Sequence, residues 1–303
     1  MKVGSRGSAL ALKQTEIICD KLRARYPETI IEVHVVKTKG DIMQDVSLVQ
    51  LGGKGVFVKE IEEALLNHEI DLAVHSLKDC PSDIPEALEI VATPPREDPR
   101  DVLISRENVK IERLPHGARI GTGSLRRKCQ LLHLYPDLQI IPLRGNLDTR
   151  IKKIETENLH GIVVAAAGIK RMGWTSQVSS FIPSDLVIPA VGQGILALEI
   201  RRDDEDLKGG LSFLNDDKTW REAEAERAFL KHIGGGCRLP MGAHAVMGND
   251  IITVSGFIGT PNGRALFRNE FRGPADKARE IGMALAEDIL TRGGKAIVER
   301  MFR

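Results

Sequence analysis

Short apolar runs alternate with helix-spaced apolar positions along the first two-thirds of the chain. Residues 2–4 read as a short strand and residues 5–8 as a polar loop. A helix follows, with Leu10, Leu12, Ile17, Ile18 and Leu22 on its apolar side. Residues 30–37, rich in β-branched side chains, read as a strand. Residues 57–67 have helical spacing, with Val58, Ile61 and Leu65 on one face, and residues 70–75 form a short buried strand. Such β–α–β alternation predicts a mainly parallel sheet covered by helices.

The prolines and charges of TPPREDPRD, residues 93–101, read as a linker or hinge. The alternation then resumes, with strands at 118–122, 138–143 and 161–166 and helices at 125–134 and 147–155. A second proline-bounded crossing falls at 182–194, and LALEIR at 196–201 is placed as a strand returning to the first sheet. The last part changes character. A helix at 221–232 precedes strands at 243–246, 251–258 and 265–271, with GND and Asn262-Gly263 as turns, and a helix at 276–291. This predicts a small antiparallel α+β domain.

Composition narrows the function. The 303 residues are 42% hydrophobic and 28% charged, a globular balance with room for two or three domains. With 4% aromatics and a net charge of +1, neither a base-stacking platform nor a global field for nucleic acid or membrane is indicated. No apolar run approaches the roughly 18–20 residues of a membrane span, and the opening residues do not read as a signal peptide. The expected compartment is the cytosol. Cys19, Cys80, Cys129 and Cys237 form no CxxC pair, so no metal site is expected.

Basic residues recur where strands hand over to helices: Arg6, Arg126 and Arg127, Arg144 and Arg150, with Ser8 and Ser124 placed as N-caps. Cations oppose the helix dipole there. A bound anion would offset that cost, since exposed N–H groups and guanidiniums together hold carboxylates or phosphates. Single surface arginines are ordinary, whereas the set points to a ligand with several acidic groups. HSLKDCP at 75–81 places Ser76, Lys78 and Asp79 in another post-strand loop. An aspartate there serves as acid or base, or simply closes the loop with the lysine. His75 reads as structural. In IGGGCRLPMG, three glycines frame Cys237, either a presented thiol or an inert buried one. The glycine-containing stretch 39–60, with Lys54, Phe57 and Lys59, reads as a lid or as a plain loop.

These pieces resemble the porphobilinogen deaminase family in content and order. The matching stretches are SRGSALALKQ (5–14), GDIMQD (40–45), GGKGVFVKEIE (52–62), DLAVHSLKDCP (71–81), IGTGSLRRKCQL (120–131), LRGNLDTR (143–150), AAAGIKRMG (165–173), AVGQGILALE (190–199) and GGGCRLPMGA (234–243). Two departures are Arg238, where the family more often has Gln, and Cys80, where an aliphatic residue is common.

The resemblance implies an α/β fold of two lobes like type 2 periplasmic binding proteins, plus a small α+β C-terminal domain. The expected domains are 1–94 with 190–210, then 95–189, then 211–303. It implies a dipyrromethane cofactor held on Cys237 by a thioether. Four porphobilinogens are added to that primer with loss of ammonia, and hydrolysis releases the linear 1-hydroxymethylbilane. The catalytic aspartate falls on Asp79. Cofactor positions fall on Lys78, Ser8, Ser76, Thr122, Ser124, Arg126, Arg127 and Asn146, and substrate positions on Arg6, Arg144, Arg150, Arg171 and Gln193. A monomer working on a small-molecule substrate is expected. Competing readings are a two-lobed anion receptor, a regulator's sensor domain and a pyridoxal phosphate enzyme using Lys54 or Lys59. The receptor leaves the glycine-framed cysteine unexplained.

Overall fold

The computed structural model describes residues 1–38, 55, 58–234 and 238–302. The chain packs as two units, Met1–Glu97 with Gly194–Trp220, and Asp98–Gln193 with Arg221–Arg303.

In the first unit, strands β1 (Lys2–Arg6), β2 (Glu32–Val36), β3 (Leu72–Ser76), β4 (Leu88–Ala92) and β10 (Leu196–Arg201) form one sheet in the order β2-β1-β3-β10-β4. β1 pairs parallel with β2 and β3, while β10 runs antiparallel to both β3 and β4. The mainly parallel expectation therefore holds, with one opposed strand. That strand is the returning LALEIR segment.

Residues of β3 are buried on both faces because helices cover both. Leu72 and Val74 pack with Ile18, Cys19 and Leu22 of helix Ala9–Arg25. Ala73 packs with Ile61 and Leu65 of helix Lys59–Leu66. The stripe expected on the first helix is rotated: Gln14, Thr15, Ile18, Cys19 and Leu22 are buried, and Leu12 is 37% exposed. Gln14 turns inward because its amide bonds Ser76 Oγ at the end of β3, at 3.0 Å. The β-branched residues of β2 stay largely exposed, since this strand is the sheet edge.

The second unit repeats the topology. Strands β5 (Asp101–Ser105), β6 (Arg119–Gly121), β7 (Gln139–Ile141), β8 (Gly161–Ala165) and β9 (Ser180–Ile182) are ordered β7-β6-β8-β5-β9. β6 is parallel to β7 and β8, and β5 is antiparallel to β8 and β9. Residues 101–105 were expected partly within the linker; they form the fully buried β5 instead. β4, β9 and the short helices Ala166–Arg171, Glu205–Leu211 and Lys295–Phe302 were also not anticipated.

The C-terminal part carries β11 (Met241–Gly248), β12 (Ile251–Gly259) and β13 (Leu266–Pro274), an antiparallel sheet in that order. Asn249 and Asp250 both have positive φ, 50° and 61°, as a tight hairpin turn requires. Phe229 of helix Asp217–Ile233 and Leu285 and Ile289 of helix Ala278–Ile289 fill the core of this sheet. A small cluster of Cys129, Ile188 and Phe257 packs the helix Leu125–Leu134 and the second crossing against it. A Cβ at Gly263 (φ +71°) would meet His133 N at 2.6 Å and Cys129 O at 2.7 Å, so the Asn262-Gly263 turn requires glycine twice over.

Candidate active site

Parallel strands end along one edge of a sheet, and the residues just beyond them converge. In the first unit β1 ends at Arg6, Ser8 caps the following helix by accepting from Ala11 N at 3.2 Å, and β3 ends at Ser76. Leu77–Asp79 then forms a single 3₁₀ turn, tied down by Leu77 N donating to Ile195 O at 3.0 Å. Arg6 Nη1 stands 3.8 Å from Asp79 Oδ2, with the Asp79 side chain 34% exposed. Arg6, Ser8, Ser76, Lys78 and Asp79 are thus gathered at one sheet edge. The aspartate keeps open access and has a cation beside it. Lys59 is exposed at the start of its helix, 3.8 Å from Glu63.

In the second unit the ends of β6, β7 and β8 supply Thr122 and Ser124, then Arg144 and Asn146, then Arg171 at the end of its short helix. Thr122 Oγ1 accepts from Ser124 N at 3.3 Å, and Ser124 caps the next helix by accepting from Arg127 N at 3.4 Å. Asn146 holds the N-cap position of helix Leu147–Thr156 without a side-chain cap bond. Arg150 Nε donates to Gly145 O at 2.7 Å, folding it back on the loop before its helix. Burial lowers the pKa of the Arg144 guanidinium.

Arg126 and Arg127 do not reach into solvent as their sequence position implied. Both are buried, and both face Asp101. Arg127 Nη2 lies 2.8 Å from Asp101 Oδ1, and Arg126 Nη1 lies 2.8 Å from Oδ2. The two guanidiniums also donate to Val163 O and Ile188 O, at 3.2 and 2.8 Å. Gln193, buried as well, donates to Asp101 Oδ1 at 2.9 Å and to Pro99 O at 2.6 Å. Burial alone would push the Asp101 carboxyl up; the Arg126 and Arg127 charges outweigh it and hold the group well below the usual carboxylate range.

Sequence reasoning missed Asp101 because it was read as the last residue of a charged linker. The apolar run VLIS directly after it was the available signal. Glu226 was missed too. It is fully buried in helix Asp217–Ile233 and accepts from Gly192 N at 2.7 Å and Ala245 N at 2.8 Å.

The helix Asp217–Ile233 is followed by Gly234, whose φ of +77° is the left-handed conformation that ends a helix. Cys237 lies outside the described residues, as do Lys54 and Phe57. Two buried guanidiniums against one carboxylate leave one positive charge in excess, and among the described residues Arg126 Nε has no hydrogen-bond partner. Such a cluster fits a ligand or cofactor bearing carboxylates.

The fold is α/β, and in each of its two units arginines and hydroxyls collect beyond the strand ends, with the partly exposed carboxylate of Asp79 beside Arg6 in the first. Residues 1–209 match the family described as "Porphobilinogen deaminase, dipyromethane cofactor binding domain", and residues 220–291 match "Porphobilinogen deaminase, C-terminal domain". The porphobilinogen deaminase of Syntrophus aciditrophicus is 56% identical over 99% of this chain and 98% of its own. That of Clostridioides difficile is 49% identical over 95% of this chain and 96% of its own. Two solved structures match part of the chain. The periplasmic VFT2 domain of Bordetella pertussis BvgS is 14% identical with a TM-score of 0.40, covering 70% of this chain and 85% of that one. A TRAP solute-binding protein from Pseudomonas putida is 9% identical with a TM-score of 0.41, covering 72% and 77%.

The chain belongs to the porphobilinogen deaminase family. Its activity is the assembly of porphobilinogen into hydroxymethylbilane, with a dipyrromethane cofactor, in tetrapyrrole biosynthesis. Among the described residues no helix is long and apolar enough to cross a membrane.

Proposed function

We propose that Asp79 is the catalytic carboxylate of this activity and that the strand-end residues divide the remaining work. The observation that carries this reading is the Arg6–Asp79 approach of 3.8 Å at the joint end of two parallel strands, with Asp79 one-third exposed. A carboxylate so placed holds or moves a proton at the amine nitrogen that leaves porphobilinogen as ammonia, and stabilises the cationic carbon left behind. Arg6, with Nη1 3.8 Å from Asp79 Oδ2, orients it. Substrate acetate and propionate groups are met by Arg6, Arg144, Arg150 and Arg171. Gln193 serves by steadying Asp101.

The cofactor is assigned to Cys237, with Lys78, Ser8, Ser76, Thr122, Ser124, Arg126, Arg127 and Asn146 around it. When bound it supplies the pyrrole carbon on which the chain is extended. Arg126 and Arg127 contribute the excess positive charge that its carboxylates require. Lys54, Phe57 and Lys59 are the proposed lid. The functional division follows 1–94 with 190–210, 95–189 and 211–303, a reading supported by the separate family matches to 1–209 and 220–291. The proposed setting is a cytoplasmic monomer.

Asp79→Asn tests the assignment. Single-turnover kinetics with intact-mass detection should show cofactor retained and a rate lower by about 10²-fold, typical of a lost general acid or base. Asp79→Glu should keep more activity than Asn. Near-normal chemistry in Asp79→Asn, with the cofactor in place, places the catalytic carboxylate elsewhere.

A further inference from the structure

Behind the Asp79 turn lies a buried group of ionisable side chains that takes no part in the strand-end cluster. His75 is the penultimate residue of β3, 5% exposed, and Glu199 of β10 is 2% exposed. His75 Nε2 and Glu199 Oε2 are 2.8 Å apart. In the antiparallel register His75 opposes Ala197, so Glu199 is its diagonal neighbour on the same face. Glu62, on helix Lys59–Leu66, is 8% exposed, and among the described residues its Oε1 has no hydrogen-bond partner.

Ile61, Leu65, Ala73 and Leu88 make up the apolar part of this face, and Arg201, two residues beyond Glu199 on β10, donates to Leu65 O and Ile70 O there. A buried polar pair there adds little net stability over a well-packed apolar pair, because desolvation offsets the attraction. What it does add is a defined geometry at one point. That point is where β3 ends. Ser76 pairs with Leu196 and Leu77 N bonds Ile195 O, so the Asp79 turn hangs from the β3–β10 pairing. On its other side β10 has a register shift between Leu198 and Glu199 where it meets β4. The strand is irregular there, and the His75 contact holds it on the β3 side.

We propose that Glu199 is a positioning residue for the reaction: acting through His75, it fixes the end of β3 and hence the stance of Asp79, and Glu62 sets the charge that this pair meets. The inference rests on Asp79 being the catalytic carboxylate. Burial first, and then the Glu199 charge, push the Glu62 carboxyl up to about 7, against a smaller opposing effect of His75. Its helix neighbour Glu63 adds in the same direction. The charged groups on the strands packed against this helix each have other partners. Arg201 donates to Leu65 O and Ile70 O, Arg6 faces Asp79, His34 faces Glu32, Glu89 pairs with Lys208, and Lys2 is exposed at the far end of β1. Ionisation of Glu62 near neutrality thus brings a second negative charge beside Glu199 and alters what holds His75.

The test uses cofactor-loaded enzyme, checked by intact mass, and compares wild type with Glu199→Gln, Glu199→Asp, Glu62→Gln and Asp79→Asn. For Glu199→Gln, kcat should fall by about 10- to 100-fold, the cost of a small misplacement of a reacting group, while KM for porphobilinogen stays within about twofold. Glu199→Asp, which keeps the charge, should recover part of the rate. The wild-type kcat profile should show an inflection near the Glu62 value of about 7, and Glu62→Gln should lose it. If Asp79→Asn is slow but Glu199→Gln keeps wild-type kcat and pH profile, the positioning role is overturned and the Asp79 assignment stands. If Asp79→Asn reacts normally, the catalytic assignment itself falls, whatever Glu199 does. Should Glu199→Gln fail to fold, Glu62→Gln decides: a pH profile identical to wild type overturns the inference.

Discussion

Replacing Asp101 by Asn isolates the energetic centre of the second unit. Asp101 is fully buried, with Arg126 and Arg127 guanidinium nitrogens both at 2.8 Å and the Gln193 amide at 2.9 Å. Asparagine preserves the shape and one acceptor but removes the charge. Two buried guanidiniums then face each other without a counter-ion. Breaking a buried ion pair by removing one partner costs about 3–5 kcal/mol. Val163 O and Ile188 O still accept from the arginines, which keeps the cost inside that range. At roughly 2–4 °C per kcal/mol for a unit of this size, the transition should fall by about 6–20 °C. Scanning calorimetry and denaturant unfolding at neutral pH measure it. Arg126→Met should cost less, because Asp101 and Arg127 remain paired. The pH sign follows from the lowered carboxyl. This stabilisation is present in full above the unfolded aspartate value of about 4 and is lost as pH falls toward the lower folded value. An Asp101→Asn loss below about 1 kcal/mol, within the range of an exposed pair, would refute the reasoning.

Three further outcomes are expected. Intact-mass measurement should show wild type heavier than its sequence by one dipyrrole unit and Cys237→Ser without that increment; an unmodified but fully active protein contradicts the assignment. Glu62 binds a proton more tightly folded than unfolded, with a raised value of about 7 against an ordinary 4.5, so its contribution costs stability progressively as pH rises between those values. Glu62→Gln should therefore gain on wild type by at most about 3 kcal/mol between mildly acid and mildly alkaline pH, and a constant difference across that range removes the effect. Burial pushes the Cys129 thiol up to about 12, so it should resist thiol reagents in the native protein and react only on unfolding. Prompt labelling of native Cys129 counts against the packing of Cys129 on Ile188 and Phe257.

Much of the fold was legible because its signals are local. Helix 125–134 was read at the bounds observed, with Ser124 as its cap, since the capping residue and the apolar spacing sit within one short segment. LALEIR was placed correctly as a strand returning to the first sheet, between β3 and β4. β5 was missed because the prolines and charges before it read as linker up to residue 101. The stripe of the first helix was misjudged because Leu12 is apolar yet exposed, whereas Gln14 is polar yet buried by its bond to Ser76. Of the site, the strand-end placement of Arg6 and Asp79 was readable from the order of elements; the partner of Arg126 and Arg127 was not.

The sequence by itself determined the periodicities, the turns and the chemical inventory. Asn249-Asp250 and Asn262-Gly263 commit their hairpins through residues that tolerate positive φ, and the ordered motifs from SRGSALALKQ to GGGCRLPMGA carry the family resemblance. The tertiary structure alone decided which buried charge meets which. Because β5 runs against β8, Asp101 stands opposite Ala165, at the end of the sheet where Arg126 and Arg127 begin their helix. Because β10 inserts beside β3, Glu199 lies diagonal to His75 across 124 residues of chain. A carboxylate in a sequence specifies a charge, but its partner depends on strand order and register, which arise from packing between distant segments rather than from any local run of residues.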